Sequence, residues 1–189
     1  MRVLIVIVAG AMLAACVGGS GGGGLLGGSD VTAVVQQRSP AAGKMINDYR
    51  ARRGLGAVSE DPRLMKAAAD HADDLASAAR VSHYGTDGSD PAVRTRRTGY
   101  TFSNIGENVS AGRASLTEVI QAWIESAPHR RNLELEPASN FGLAHSFSPD
   151  SHYRHYWVLV MAEPGAPAAQ SGSPGGSSGM SVRMGGGDR

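Results

Sequence analysis

Apolar side chains recur every three or four residues through the first two thirds of the folded region and every second residue near its end. Helices are therefore expected first and strands after them. Ser39-Pro40 precedes a stretch in which Ala42, Met45, Ile46 and Tyr49 share one helical face, closing at Gly54. Asp61-Pro62 reads as an N-cap with proline at the first helical position, and Leu64, Ala68, His71, Leu75 and Ala79 follow it down one face. Asp90-Pro91 repeats that signal and opens a short helix toward Arg97. Ser115-Leu116-Thr117-Glu118 has the spacing of a capping box. Behind it Leu116, Val119, Ile120 and Trp123 form one stripe, with Trp123 expected to pack against a sheet.

Toward the C-terminus the period changes. Phe141, Leu143, His145 and Phe147 alternate with small or polar residues, and Ser148-Pro149-Asp150-Ser151 makes a turn. The return segment is apolar on both faces: Tyr156, Val158 and Val160 on one, Trp157, Leu159 and Met161 on the other. A strand of that kind needs a layer above and a layer below it. Helices followed by strands predict an α+β domain, an α–β–α sandwich with a central antiparallel sheet between helical layers. One domain over residues 39–164 is long enough for one ordinary core.

The two ends have a different composition. Residues 1–16 have a positive start at Arg2, an apolar run from Val3 to Met12 and Leu13 followed by the small residues Ala14-Ala15 before Cys16. That run is shorter than the roughly 20 apolar residues a bilayer requires, and it has the shape of an export signal. Leu13-Ala14-Ala15-Cys16 resembles a bacterial lipobox, which implies that Cys16 is acylated and anchors the protein to a cell membrane or outer membrane, facing periplasm or exterior. A plain signal peptide with a stray cysteine is the weaker alternative, because Cys16 is the only cysteine in the chain. With that thiol acylated, the core holds without disulfides even in an oxidising compartment. Residues 17–38 are rich in glycine and read as a flexible tether with a mean reach of roughly 25 Å. Residues 165–189, mostly Gly, Ser, Pro and Ala, read as a disordered tail that cannot bury enough side chain to offset its ordering entropy. Lys plus Arg is 18 against 17 for Asp plus Glu, and Arg94, Arg96 and Arg97, the densest basic cluster, read as a solvated helix face. No basic stripe suits a phosphate backbone, so a nucleic acid partner is not expected, and a monomer is.

Candidate chemistry is concentrated in three islands: Ser82-His83, Gly106-Glu107-Asn108, and Trp123-Ile124-Glu125 leading to His129-Arg130-Arg131-Asn132. Two histidines and a glutamate in separate segments suggest one polar cleft. These islands, in this order and spacing from about Ala41 to Pro164, resemble the CAP superfamily of cysteine-rich secretory, antigen-five and pathogenesis-related proteins, in its bacterial SCP-like form. The resemblance implies the same α–β–α sandwich and a cleft lined by two histidines and two acids. His83 matches the first histidine, Glu107 the first acid and His129 the second histidine. The family's second acid falls three residues after the tryptophan, where this chain has Ser126. Glu125 is one place early, and a helix step of about 100° turns it toward another face. Arg130 and Asn132 resemble the family's His-Arg-x-Asn element and are read as pinning the loop after the helix.

Two imidazoles and a carboxylate suit zinc or another divalent metal with one coordination place open, where bound water would become acidic enough to attack a substrate. No local spacing such as His-Glu-x-x-His supports that reading. The alternative, preferred here, requires no cofactor: Glu107 orients an imidazole by hydrogen bonding and the cleft holds a polar group of a ligand. Gly106 and Asn108 are expected to allow a sharp turn that aims Glu107 inward. His71 and His145 read as core residues, and His152 and His155 as solvated. Ser82 or Ser126 beside a histidine would suit nucleophilic catalysis, but no Gly-x-Ser-x-Gly elbow is present in the folded region. The first reading is a binding module for a small amphipathic or glycan-like ligand, with a lipid, glycan or peptide as partner; the alternatives are a metal-assisted envelope hydrolase acting on peptide or cell-wall material and a scaffold with a vestigial cleft.

Overall fold

Asp61 and Asp90 start their helices as their sequence contexts require. In a computed structural model, which describes residues 29–166 and 181–185, each side chain caps a first turn: Asp61 accepts from the Arg63 amide at 2.8 Å and Asp90 from the Val93 amide at 2.7 Å. The helices are α1 (Ser29–Arg52), α2 (Pro62–Ser77), α3 (Pro91–Arg97), α4 (Leu116–Glu125) and α5 (Ala127–Leu133). The strands are β1 (Ser59–Glu60), β2 (Phe102–Ala111), β3 (Asn140–Phe147), β4 (His155–Pro164) and β5 (Ser181–Met184). They form one sheet in the order β1-β3-β4-β2-β5. Its centre, β3-β4-β2, is antiparallel as expected, whereas β1 and β5 join the two edges in parallel.

The two faces of β4 separate two cores. Trp157, Leu159 and Met161 pack with Ile46 of α1 and with Val119, Ile120 and Trp123 of α4. Tyr156, Val158 and Val160 pack with Leu64, Ala68 and Leu75 of α2 and Ala92 of α3. Trp123 and Trp157 are both fully buried, and each fully buried Leu or Ile contributes about 1.5–3 kcal/mol to holding the layers on the sheet. The α–β–α sandwich is therefore the observed architecture. Arg50 is also fully buried, with its guanidinium donating to the carbonyls of Gly56, Leu133, Leu135 and Ala138, which ties α1 to the segment after α5.

Four local expectations are corrected. Ser39-Pro40 is not a helix start, because α1 begins at Ser29 and carries Pro40 inside it, so residues 29–38 of the expected tether are helical. A single proline removes one backbone bond, and the good helix formers on both sides (Gln36, Gln37, Arg38 and Ala41, Ala42) keep the helix continuous. Ala79 lies past the end of α2 with φ 51° and is exposed, so it does not extend the apolar face. In the capping box Ser115 accepts from the Glu118 amide at 3.2 Å, but Glu118 reaches the Ala114 amide instead of that of Ser115. The expected disordered tail contains β5, because a free sheet edge supplies main-chain partners that a count of apolar side chains does not register. The export signal, the lipobox at Cys16 and the glycine-rich part of the tether lie outside the described residues.

Candidate functional site

Strand β2 is the axis of the site. Ile105, Glu107 and Val109 point to the α2/α3 side and Gly106 and Asn108 to the α5 side, as strand alternation requires. This replaces the sharp turn expected at Gly106-Glu107-Asn108. Gly106 does not have a positive φ; a Cβ there would lie 2.8 Å from Oδ1 of Asn132, so the glycine is needed for close approach. A glycine and an asparagine flanking an acid read equally well as a turn or as a crowded strand, and the crowding comes from a helix residue distant in sequence.

On the α2/α3 side the site is charged. Glu107 is 1% exposed, and its two oxygens are held separately. Nδ1 of His83 is 2.8 Å from Oε1, and Nη2 of Arg94 donates to Oε2 at 2.6 Å. The other arm of Arg94 donates to the carbonyls of Ser89 at 2.7 Å and His83 at 3.0 Å, which fixes the loop carrying His83. A buried carboxylate is costly without partners, and here each oxygen faces a donor. Arg94 is therefore not part of a solvated face. A short helix exposes too little periodicity for the sequence to reveal it, although Arg94 falls three residues after the buried Pro91 on the same face. Behind it, His71 is fully buried, holds the Ser82 carbonyl through Nε2 at 2.9 Å and lies 4.0 Å from Oε1 of Glu107. Burial lowers the pKa of His71 below 6.5, with the Glu107 charge opposing that shift. A polar pocket of about 280 Å³ opens beside these residues, lined in part by Asp74, Asp87, Arg94 and Arg97.

On the α5 side the partners are neutral. Ser126 is the N-cap residue of α5 but makes no side-chain cap bond; its hydroxyl is instead 2.8 Å from Nδ1 of the fully buried His129. Asn108 donates to the His129 carbonyl at 3.0 Å, and Asn132 donates to the Glu107 carbonyl and to Oδ1 of Asn108, each at 2.8 Å. Arg130 holds the corner between α4 and α5 by donating to the Ile124 carbonyl at 3.1 Å, in keeping with its expected pinning role. Glu125 is exposed and accepts from Gln121 at 2.7 Å, so the one-residue offset from the family pattern takes it out of the cleft and leaves Ser126 inside.

The two sides meet at Gly185, just after β5. Its amide donates to the Glu107 carbonyl at 2.9 Å and its carbonyl lies against Nε2 of His83. A Cβ at Gly185 would be 2.5 Å from Cδ2 of His129. His83 and Glu107 are thus in direct contact, and Gly185 lies against both His83 and His129. The cysteine-rich secretory protein family, CAP, matches residues 44–161. The chain belongs to that family.

A curated relative is similar in sequence, and solved structures are similar in fold. The uncharacterized protein YkwD of Bacillus subtilis (strain 168) is 27% identical over 90 residues, 48% of this chain; the match spans 35% of that relative, about a third of its length. An extracellular Bacillus anthracis protein containing an SCP domain superposes with TM-score 0.62 at 20% identity, over 70% of this chain and 42% of the other. An outer surface protein of Borrelia burgdorferi gives TM-score 0.63 at 20% identity, over 69% of this chain and 96% of the other.

A three-ligand zinc shell from His83, Glu107 and His129 does not fit this CAP cleft. Among the described residues no group of three or more His, Cys, Asp or Glu side chains is placed to hold a metal ion. Both Glu107 oxygens already face donors, so an ion on Oε1 would have to take the place of the His83 contact while Oε2 stays with Arg94. A single Ser–His–acid relay is not assembled either, since the carboxylate contacts His83 and the Ser126 hydroxyl contacts His129. His145 is buried as expected, and His155 is half-buried rather than solvated: its Nδ1 is 3.0 Å from Nε2 of His145. His152 is exposed.

Proposed function

We propose that this protein is a bacterial cell-envelope binding module, monomeric and tethered to a membrane through a lipidated Cys16, whose cleft holds a polar group of a small amphipathic or glycan-like ligand. The observation that carries this reading is the commitment of Glu107. Both its oxygens are held by His83 and Arg94, so the acid acts as a fixed orienter of an imidazole. An orienter suits recognition, in which the buried network holds the ring still and His83 Nε2 meets a ligand acceptor in the place that the Gly185 carbonyl takes in this structure. A serine-type envelope hydrolase would need an acid, a base and a nucleophile in one relay, and here the acid and the Ser126 hydroxyl serve different imidazoles. The export signal, the Leu13-Ala14-Ala15-Cys16 motif and the extracellular and outer-surface proteins that share the fold support the location. Among the described residues no helix is long and apolar enough to cross a membrane. In this reading attachment belongs to the acyl chains on Cys16.

The test is a binding screen of the chain from Val17 to Arg189 against envelope lipids and glycan fragments. His83→Ala with His129→Ala is expected to weaken the responding ligand at least tenfold with no product formed at any stage. Turnover by the parent chain that the pair abolishes would replace the reading with a hydrolase. Cys16→Ser in the full chain is expected to move the protein from the membrane to the soluble fraction.

A further inference from the structure

The outer edge of β2 is occupied by the chain's own C-terminal segment, and the occupied groove has a chemical signature. We infer that this edge and the imidazole cleft together form a docking groove for an extended, glycine-bearing peptide strand, with Ser181–Gly185 as the occupant the chain carries in cis. The inference rests on the binding-module reading and gives the same cleft a peptide backbone as its ligand in place of the amphipathic or glycan-like one.

Three observations support it. First, β5 adds to β2 in parallel, with Ser181 to Met184 opposite Asn104 to Glu107, and is separated from the rest of the sheet by residues 165–180. Adding a lone strand to an open edge is a general mode of peptide recognition, in which main-chain bonds supply affinity and pockets supply selectivity. Second, the strand buries little of its own side chains: Val182 is 37% exposed, Met184 39%, and Arg183 is also exposed. Gly185, next in sequence, is buried. Recognition is therefore concentrated in the backbone and in that single position, where the amide meets the Glu107 carbonyl and the carbonyl meets His83. Third, the slot accepts only glycine. An added Cβ would lie 2.5 Å from Cδ2 of His129 and 2.6 Å from Oδ1 of Asn108. Neither atom gives way cheaply, because Asn108 is fixed by its bonds to the His129 carbonyl and to Asn132.

A strand held by its backbone and one glycine is exchangeable for another of the same pattern. Covalent attachment gives the cis strand an effective concentration on the order of millimolar, so an external peptide competes at a disadvantage. The probe is a fluorescently labelled peptide with the sequence of residues 181–187, followed by polarisation against the chain from Val17 to Arg189. In Gly185→Val the chain's own tail no longer seats, and the peptide is expected to bind at least tenfold more tightly than to the parent. A chain ending at residue 180 is expected to match that variant, which guards against an effect of the valine on folding. The same peptide with valine in place of its glycine is expected not to bind either one. Equal binding to parent and variants, binding to none of them, or equal binding of the valine peptide would overturn the inference. If the peptide fails while a lipid or glycan still responds to His83→Ala with His129→Ala, the binding module stands and the strand groove alone is lost. If neither responds, both fall.

Discussion

The two halves of the cleft reach the same glycine by opposite means. The half built on α2 and α3 is ionic: Glu107 is clamped between His83 and Arg94 with almost no solvent contact. The half built on α4 and α5 is neutral, a set of amide and hydroxyl contacts joining His129, Ser126, Asn108 and Asn132. A buried ion pair is expensive to assemble and more expensive to break, whereas neutral contacts can be removed one at a time at modest cost. The charged half therefore fixes where the cleft lies, and the neutral half shapes what fits into it.

Breaking the charged half should give the largest effect. Arg94→Leu leaves Glu107 buried without its strongest partner and is expected to cost about 3–5 kcal/mol in urea unfolding. Adding Glu107→Gln to it removes the stranded charge and should recover more than half of that loss. On the neutral side Asn132→Ala removes two hydrogen bonds and is expected to cost about 2 kcal/mol, since Oδ1 of Asn108 loses its donor and the Glu107 carbonyl keeps only the Gly185 amide. Equal costs for Arg94→Leu and Asn132→Ala would dissolve the distinction between the halves.

How much of this was legible in the sequence depends on where each residue's partner lies. Asp61-Pro62 and Asp90-Pro91 announced α2 and α3 because a cap and its helix are neighbours in the chain, and the two-faced pattern of β4 announced both helical layers. His83, Glu107 and His129 were recognisable from the family pattern, and Ser126 from its position three residues after Trp123. Arg94 was not, because a basic residue in a short polar helix is ordinarily solvated and its carboxylate partner sits in another segment. Gly106 was misassigned for a related reason: its constraint is the side chain of Asn132, across the layer boundary. The same holds for β5, whose stability comes from a sheet edge that no local composition reveals.

Proton linkage sharpens the comparison further. His71 backs the charged half, facing Glu107, Arg94, Asp74 and the Ser82 carbonyl, and burial lowers its pKa below 6.5. Below 6.5 the unfolded chain takes up a proton that the folded ring refuses, so stability falls as pH drops through 6.5 and levels off once the lower folded pKa is passed. The slope from this one group is at most about 1.4 kcal/mol per pH unit. Thermal midpoints recorded from pH 8 to pH 5 should decline, and His71→Gln should flatten that part of the decline. An unchanged slope in the variant would remove His71 as its source.

The smallest effect separates Ser126 from Glu125. Because Ser126 makes no side-chain cap bond, Ser126→Ala does not weaken the start of α5 and removes only the contact to Nδ1 of His129. That contact should be worth about 1 kcal/mol, with an altered ring tautomer visible in the nitrogen chemical shifts of His129. Glu125→Ala touches an exposed pair with Gln121 and should leave both stability and the His129 shifts unchanged. The family pattern implies an acid where this chain has Ser126, so a neutral residue stands in place of a charged one beside His129. If Glu125→Ala moved the His129 shifts and Ser126→Ala did not, the acid would be reaching the cleft after all, and this half would no longer be the neutral one.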